Sequence, residues 1–272
     1  MRNDVNLIRD MVQARVLGAI FSNSMKDQIL LKGGFAMRVL LGSARYTKDI
    51  DLAACSELPT SVVQSFIRKS LDDIRRTGMI RDLQISEPKQ TDTTLRWKVG
   101  GVVNSHEVHF TIEVSRRNRV ENENVQKVTY QCQPGNRGSI PIACINLTQM
   151  SEAKFDCLKN PKREAPRDIY DLYMLIKMDI KPSPEAIKAY GHKALDEMKT
   201  SIWSKLEKMD YAVIEQQLLP FLPASAARAI TPDVWDEMRL IVGDKVHAWI
   251  SEAGNDDEDC GVENERMAKS TL

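Results

Sequence analysis

The feature that most constrains the fold is the order of segments between residues 28 and 54. The run QILLKGG is short and apolar and ends in two glycines, which predicts a strand entering a turn. FAMRVLLG follows with good helix formers and ends at Gly42, as helices often do. KDIDLAA then alternates charged and apolar residues, a pattern that indicates a half-buried strand. A strand, a diglycine turn, a helix and a second strand in this order predict an α/β fold.

The rest of the chain divides into a mixed half, a helical half and a tail. Apolar residues at intervals of three and four predict a helix over residues 5–20, and residues 60–78 also read as helical. Strand-like runs follow at 81–87, 94–103 and 107–115, with a hairpin turn at Asn104-Ser105. We therefore expect an α/β (α+β) domain over residues 1–150, with a mixed sheet flanked by helices. A helical domain over 151–253 and a disordered acidic tail over 254–272 complete the prediction.

Composition excludes several classes of protein. The chain has 38 Lys and Arg against 38 Asp and Glu, so contact with a nucleic acid requires local basic patches. Its five cysteines form no C-x-x-C pair, which argues against a zinc site and a disulfide framework and fits a reducing compartment. No segment approaches 18 consecutive apolar residues, so we expect no membrane span and a soluble, cytoplasmic protein.

Three carboxylates on two predicted strands form the first candidate site. Asp49 and Asp51 are two residues apart on a strand, so their side chains point to the same face. Glu113 lies on the polar face of the strand at 107–115 and joins them if the two strands are neighbours. Because anions at close range repel unless a cation neutralises them, this cluster predicts a Mg²⁺ site. The alternative is a solvated strand face, which is the more frequent meaning of an isolated D-x-D.

Gly33 and Gly34 form a second candidate site. A turn without side chains lets backbone N–H groups and a helix N-terminus approach a phosphate. The turn is not a P-loop, because Lys32 precedes the glycines and no G-K-[ST] follows. A tight strand-to-helix turn also favours glycine, so the two glycines indicate a phosphate site only in combination with the carboxylates. Phosphates at the turn and metals on the next strand would suit a nucleoside triphosphate.

A third group of charged residues follows residue 150. Pro166 fits the first turn of a helix in which Asp168 and Asp171 share a face and Arg167 can reach Asp171. On the residues alone this helix can be a surface ion-pair ladder of little energetic weight.

These blocks together resemble a known family. KGGFAMRVLLGSARYTKDIDL, with Glu113 further on, resembles the nucleotidyltransferase fold of the polymerase-β type. Within that fold, K-G-G-x-A-x-R-x-L followed by R-[YF]-[ST]-x-D-[IL]-D is similar to the AbiEii/AbiGii toxin family. EAKFDCLKNPKREAPRDIYDLYMLI is similar to the second block of that family, with its helical lysine, arginine and R-D-x-[YF]-D-L. The resemblance covers residues 28–177.

The resemblance implies a function and a set of site residues. It implies a nucleotidyltransferase that takes a nucleoside triphosphate, uses Mg²⁺ (or Mn²⁺) and acts in a toxin–antitoxin or phage-defence (abortive infection) system. A tRNA 3′ end is the implied acceptor and a separate antitoxin the implied partner. Metal ligation falls to Asp49, Asp51 and Glu113. Nucleotide binding falls to Gly33, Gly34, Thr47, Lys154, Arg163 and Arg167. The implied catalytic residues are Asp49, Asp51, Glu113, Lys154, Asp168 and Asp171, and the helical domain completes the nucleotide site.

Two alternatives to this function stay open at the level of sequence. One keeps the site but transfers the nucleotidyl group, or a phosphoryl group, to a protein. The other is a catalytically silent module that binds nucleotide or RNA. Contact with an RNA backbone can come from the basic stretches at Arg75-Arg76 and at Arg116, Arg117 and Arg119, although such clusters are more often solvated faces.

Overall fold

The computed structural model describes residues 2–22, 28–55, 57–117, 125–131, 139–160 and 163–269. Contacts divide the chain into two compact units. Unit 1 comprises Met1–Asn146 and Pro220–Ala227, and unit 2 comprises Leu147–Leu219 and Arg228–Leu272. Arg119 of the predicted basic stretch lies outside the described residues.

Unit 1 is a mixed sheet with helices. Its described strands follow the order β3-β4-β5-β2-β1-β7-β6, in which β2 pairs parallel to β5, β1 pairs parallel to β7, and the other neighbours are antiparallel. The strands are β1 (Ile29–Lys32), β2 (Asp49–Ala54), β3 (Arg81–Gln90), β4 (Thr94–Val103), β5 (His106–Ser115), β6 (Val125–Gln131) and β7 (Ser139–Ile145). The helices of its first segment are α1 (Arg2–Phe21), α2 (Gly33–Leu41) and α3 (Thr60–Arg76). The predicted mixed sheet with flanking helices is thus confirmed.

Strict alternation gives β2 and β5 one apolar face and one polar face. Ile50, Leu52, Ile112 and Val114 are fully buried, and the intervening residues of both strands stay partly open to solvent. Trp97 of β4 is fully buried in the same way. Helix α1 contacts β5 and packs against α3. All charged candidates of the first block therefore lie on the polar face.

The predicted turns of unit 1 follow from local backbone chemistry. Gly42 ends α2 in the left-handed conformation, at φ 63°, and its N–H donates to the Arg38 carbonyl. Asn104 and Ser105 both have positive φ, at 47° and 65°, as the tight turn between β4 and β5 requires.

A buried ion pair orders the loop that leads into β2. Arg38 of α2 pairs with Asp10 of α1 at 2.8 Å, and both side chains are almost fully buried. The same guanidinium donates to the carbonyls of Ser43 at 3.1 Å, Ala44 at 3.2 Å and Arg45 at 3.3 Å. Arg38 thus stabilises the irregular backbone between α2 and the first carboxylate.

Unit 2 is helical, as expected for the region after residue 150. Its described helices are α4 (Leu147–Lys159), α5 (Pro166–Lys177), α6 (Pro184–Lys188), α7 (His192–Glu207), α8 (Tyr211–Gln217) and α10 (Pro232–Lys269). A short 3₁₀ helix at Leu219–Phe221 and α9 (Ala224–Ala229) each contain residues of both units. Trp235 and Trp249 of α10 are buried in the core of this unit, and Trp235 Nε1 donates to the Met209 carbonyl at 2.7 Å.

The tail differs from the sequence prediction. Residues 254–272 were expected to be disordered, whereas the backbone of α10 continues as a helix to Lys269. No proline follows Pro232 in the chain, so every later residue of the helix keeps a backbone N–H that can donate to the preceding turn. None of the helices in the described ranges has the length and apolar character needed to cross a membrane.

Candidate active site

The strand register brings the predicted carboxylates side by side. Asp51 of β2 lies directly opposite Glu113 of the parallel strand β5, and Asp49 lies opposite Thr111. The expectation that these two strands are neighbours is therefore confirmed. On the other side of β2, Asp51 is paired with Lys32 at the end of β1. The carboxylates thus lie in the middle of the sheet, on its polar face.

Glu113 is held by an arginine that sequence reasoning missed. Arg96 lies opposite Glu113 on β4, and its Nε donates to Glu113 Oε2 at 3.0 Å, with a second contact from Nη2. The Glu113 carboxylate raises the pKa of Arg96, and Asp49 and Asp51 act in the same direction from further away. Arg96 lies on the polar face of an alternating strand. Its pairing with Glu113 depends on the register between β4 and β5, which cannot be read from the sequence.

No group of three or more His, Cys, Asp and Glu side chains in the described ranges is arranged to hold a metal ion. The three carboxylates expected from the sequence thus do not form such a group in this structure, in which the Glu113 carboxylate is paired with Arg96. The chemistry of the donors still fits a hard divalent cation, which prefers carboxylate oxygens. The metal-ligand roles of Asp49, Asp51 and Glu113 stay predictions.

The diglycine turn lies directly against the Asp51 side chain. Helix α2 begins at Gly33, whose φ of +67° is in the left-handed region. A Cβ atom at Gly33 would collide with the Asp51 carboxylate. A Cβ atom at Gly34 would lie 2.8 Å from Arg45 Nη2 and 3.3 Å from Thr47 Oγ1. Positive φ and close approach together require glycine at position 33, whereas at position 34 a Cβ atom would press on the Arg45 and Thr47 side chains.

Thr47 shapes the entry to β2. Its hydroxyl accepts a hydrogen bond from the Asp49 N–H at 3.2 Å and donates to the Asp49 carbonyl at 3.3 Å. Thr47 therefore fixes the backbone of the first carboxylate and lies beside the glycine turn. Arg45, a buried residue that was not singled out from the sequence, packs on the same turn and donates to the Tyr46 carbonyl at 3.3 Å.

We expect Gly33→Ala to lower transfer activity by more than its effect on stability explains. Alanine at positive φ costs about 1–2 kcal/mol, and its Cβ would in addition displace Asp51. Gly78→Ala is the matched control, because Gly78 also has positive φ, at 65°, but has open space around it. Thermal melts and initial rates measured on both variants check this. Equal loss of activity in the two variants would show that the contact with Asp51 is unimportant.

The second block forms a buried ion cluster in unit 2. Lys154 Nζ of α4 contacts Asp168 Oδ1 at 2.8 Å and Asp171 Oδ2 at 2.7 Å, both on α5. Arg163 Nε donates to Asp168 Oδ2 at 2.7 Å. The two aspartate side chains are only 3 % and 0 % exposed, so this is not a surface ion-pair ladder. Burial disfavours the charged form of Asp168, but Lys154 and Arg163 outweigh it and hold its pKa at about 2.

Neighbouring residues fix this cluster in place. Helix α5 begins at Pro166, as predicted, with proline in the first turn. Lys205 of α7 donates to the carbonyls of Cys157 at 3.1 Å, Leu158 at 2.8 Å and Asn160 at 2.6 Å, and so caps the end of α4. Sequence reasoning gave no role to Lys205, whose spacing from α4 carries no signal. In contrast to Lys154, the Arg163 side chain is partly exposed and Arg167 is exposed.

Three arginines of the basic stretches proposed for RNA contact make contacts within the protein. Arg116 donates to the Thr60 hydroxyl and the Asp92 carbonyl, both at 2.6 Å, and to the Leu58 carbonyl. Arg75 and Arg76 pair with acidic residues one turn earlier on α3. Arg116 therefore joins the β3–β4 loop to the start of α3.

The comparisons with known proteins agree with this arrangement. One protein family, described as "Nucleotidyl transferase AbiEii toxin, Type IV TA system", matches residues 15–255. The chain belongs to this family. The AbiEii match spans both units, so the protein is a nucleotidyltransferase of a type IV toxin–antitoxin family. Membership implies a nucleoside triphosphate substrate, a divalent metal ion and an antitoxin partner. No curated protein matches the chain.

Solved structures share the fold of this AbiEii-family chain. JHP933 from Helicobacter pylori superposes with a TM-score of 0.59 at 13 % identity, over 95 % of this chain and 97 % of that one. MenT4 from Mycobacterium tuberculosis, described as a nucleotidyltransferase toxin, superposes with a TM-score of 0.50 at 15 % identity, over 92 % of this chain and 91 % of that one. At such low identity the likeness concerns the fold.

Proposed function

We propose that this AbiEii-family protein transfers a nucleotidyl group from a nucleoside triphosphate to an RNA acceptor, with a tRNA 3′ end as the acceptor class. Growth inhibition through this modification would make it the toxin of a toxin–antitoxin or phage-defence system, opposed by a cognate antitoxin. The observation that carries the proposal is the placement of Asp49 and Asp51 on one strand face directly beside the Gly33 turn. The proposed metal ligands and the proposed phosphate site at the start of α2 are therefore next to each other.

The reaction is an exchange at the α-phosphorus. An acceptor hydroxyl oxygen forms a bond to this phosphorus, the bond to the β-phosphate oxygen breaks, and pyrophosphate leaves while the hydroxyl proton passes to a base or to water. A bound Mg²⁺ or Mn²⁺ ion would activate the hydroxyl and neutralise charge that develops on the phosphate oxygens. Asp49 and Asp51 would hold it, and Glu113 would join them on release from Arg96.

The backbone around the glycine turn would bind the triphosphate. The first N–H groups of a helix lack intrahelical partners, residues 33 and 34 at the start of α2 carry no side chains of their own, and the Lys32 side chain does not cap the helix. Thr47 would keep Asp49 oriented through its two backbone hydrogen bonds. These residues therefore bind and orient, which is the main contribution that a protein makes to phosphoryl-type transfer.

The test is incubation of the protein with each labelled triphosphate, Mg²⁺ and total bacterial RNA, followed by a denaturing gel. Label in an RNA band that requires the metal supports the proposal. Label that appears on protein, identified by mass spectrometry, would favour the protein-acceptor alternative instead. Binding of nucleotide or RNA without any transfer would favour the silent module.

The roles assigned to unit 2 extend the proposal. Lys154, Arg163 and Arg167 are proposed nucleotide contacts, and Asp168 and Asp171 orient the lysine. Because Asp168 and Asp171 already bind the buried Lys154 ammonium, the partly exposed Arg163 and the exposed Arg167 are the better candidates for direct phosphate contact.

We expect Arg167→Gln to raise the KM for the triphosphate about tenfold, the equivalent of about 1.4 kcal/mol. The melting temperature should stay unchanged, because the residue is exposed on α5. Arg228→Gln, on an equally exposed arginine of α9, is the control. Steady-state kinetics with varied triphosphate would measure the effect. Identical KM values for the two variants would remove Arg167 from the nucleotide site and leave the carboxylate site untouched.

A further inference from the structure

A cleft of about 460 Å³ opens on the polar face of the unit 1 sheet beside Asp49. Strands β2 to β5 supply its walls and floor, and none of the residues assigned above apart from Asp49 lines it. Its polar lining consists of Lys48, Gln84, Ser86, Lys98, His109 and Thr111. We call it the β3–β5 cleft.

The register places this cleft in line with the first carboxylate. Ser86 of β3 pairs with Lys98 of β4, Lys98 pairs with Thr111 of β5, and Thr111 pairs with Asp49 of β2. Since neighbouring strands lie about 4.8 Å apart, the Lys98 backbone is about 10 Å from that of Asp49. Lys98 is exposed between buried Trp97 and Val99, so it stands on the same polar face.

The cations of the cleft are available to an anion. The Lys98 side chain is exposed and makes no hydrogen bond or ion pair with any residue that the structure describes. Lys48 enters from the loop before β2, with its ammonium 5.0 Å from the centre of the Phe221 ring. Asp49 is the one carboxylate among the residues that line the cleft. A lysine without an acidic partner beside a polar, open cleft favours a phosphate-bearing ligand.

The cleft and the glycine turn lie on opposite sides of β2. The turn follows β1, on one side of the carboxylate strand, and the cleft extends over β5, β4 and β3 on the other side. An in-line transfer needs the attacking hydroxyl and the leaving pyrophosphate on opposite sides of the reacting phosphorus. If the triphosphate occupies the turn, an acceptor that approaches from the side of the cleft meets this requirement.

We propose that the β3–β5 cleft binds the acceptor strand, with Lys98 contacting a phosphodiester next to the reacting hydroxyl. This inference rests on the proposed function and adds a subsite to it. The ligand is the backbone of a single RNA strand, recognised by charge, so Lys98 is a positioning residue that acts on affinity and not on the chemical step. Ser86 and Thr111 flank Lys98 on the neighbouring β-strands. Their hydroxyl groups would contact the same RNA strand.

The test compares Lys98→Ala with Lys69→Ala, in which an equally exposed lysine of α3 that does not line the cleft is removed. We expect Lys98→Ala to raise the KM for RNA about tenfold and to lower the salt slope of RNA binding by about 0.7, the value for one single-strand phosphate contact. The KM for the triphosphate should stay within about twofold, as should kcat at saturating RNA. Fluorescence anisotropy with a labelled RNA oligonucleotide gives the affinity without catalysis.

A gain-of-function variant complements this loss. Ser86→Lys adds a cation at the exposed end of the row and should tighten RNA binding and steepen its salt dependence. A rise in the KM for the triphosphate in Lys98→Ala, with RNA unaffected, would assign the cleft to the nucleotide and overturn the inference. Equal behaviour of Lys98→Ala and Lys69→Ala would overturn it as well. If the wild-type protein labels no RNA, the proposed function itself is contradicted. This result is distinguishable from failure of the cleft inference, because it is seen without any variant.

Discussion

Asp49→Asn and Asp51→Asn should each lower nucleotidyl transfer by about 10³-fold or more. An amide keeps the size of the side chain but removes the negative charge and the strong oxygen donor that a divalent ion requires. Loss of a bound metal withdraws several kcal/mol of charge stabilisation, and about 4 kcal/mol corresponds to 10³ in rate. Initial rates of label transfer to RNA at saturating triphosphate and Mg²⁺ measure the effect.

The control for these variants is Asp92→Asn, at an exposed position in the loop between β3 and β4. It makes the same chemical change away from the strand face and should keep wild-type activity. Melting temperatures of all three variants should lie close to that of the wild type, because the carboxylates are only partly buried. Undiminished transfer by Asp49→Asn would show that the reaction does not need the Asp49 carboxylate and would overturn its role as a metal ligand.

The elements that the sequence predicted share a clear local pattern. β2 and β5 alternate apolar and polar residues, and that alternation is the burial pattern of the folded sheet. Gly42, the Asn104-Ser105 turn and Pro166 each mark a backbone conformation that few other residues adopt equally well. Such features are local, so the order of residues is sufficient to read them.

Strands β6 and β7 were missed because their patterns are weak. Residues 133–141 are rich in Gly and Pro, a composition typical of a loop, yet β7 begins at Ser139 and includes Pro141. Pro141 faces Thr129 of β6, near the beginning of β7, and the pairing with β1 involves Cys144 further on. Proline is tolerated near the start of a strand, so tertiary pairing overrode the local signal.

The candidate site was predicted as a set of residues and not as a geometry. The adjacency of Asp51 and Glu113 required β2 and β5 to be parallel neighbours, which the chain order alone leaves open. The Arg96–Glu113 pair and the Lys98–Asp49 row arise from the same long-range register. Sequence therefore gives the chemistry of each side chain, and pairing across the sheet decides which side chains meet.

Lys154→Met should destabilise the protein by about 3–5 kcal/mol, the usual cost of removing one partner of a buried ion pair. The Lys154 side chain is 10 % exposed and contacts two buried carboxylates, of which Asp168 would keep its contact with Arg163 while Asp171 would lose its contact with the lysine. A fall in melting temperature of about 10 °C is expected for a chain of this size. Lys193→Met, at an exposed position of α7, is the matched control and should melt with the wild type.

The pH dependence of the free energy of unfolding distinguishes loss of charge pairing from loss of packing as the cause of the destabilisation in Lys154→Met. The pKa of Asp168 is about 2 in the folded protein against an ordinary 3.8, so its contribution is complete above about pH 4 and is lost as pH falls toward 2. Without Lys154, burial is less opposed and shifts this pKa upward, so the acid-labile stability of the wild type should shrink. Adding Asp171→Asn to Lys154→Met should recover part of the lost stability, because it removes a buried charge that has lost its contact with Lys154. A double variant no more stable than Lys154→Met would mean that lost packing, and not charge, caused the destabilisation.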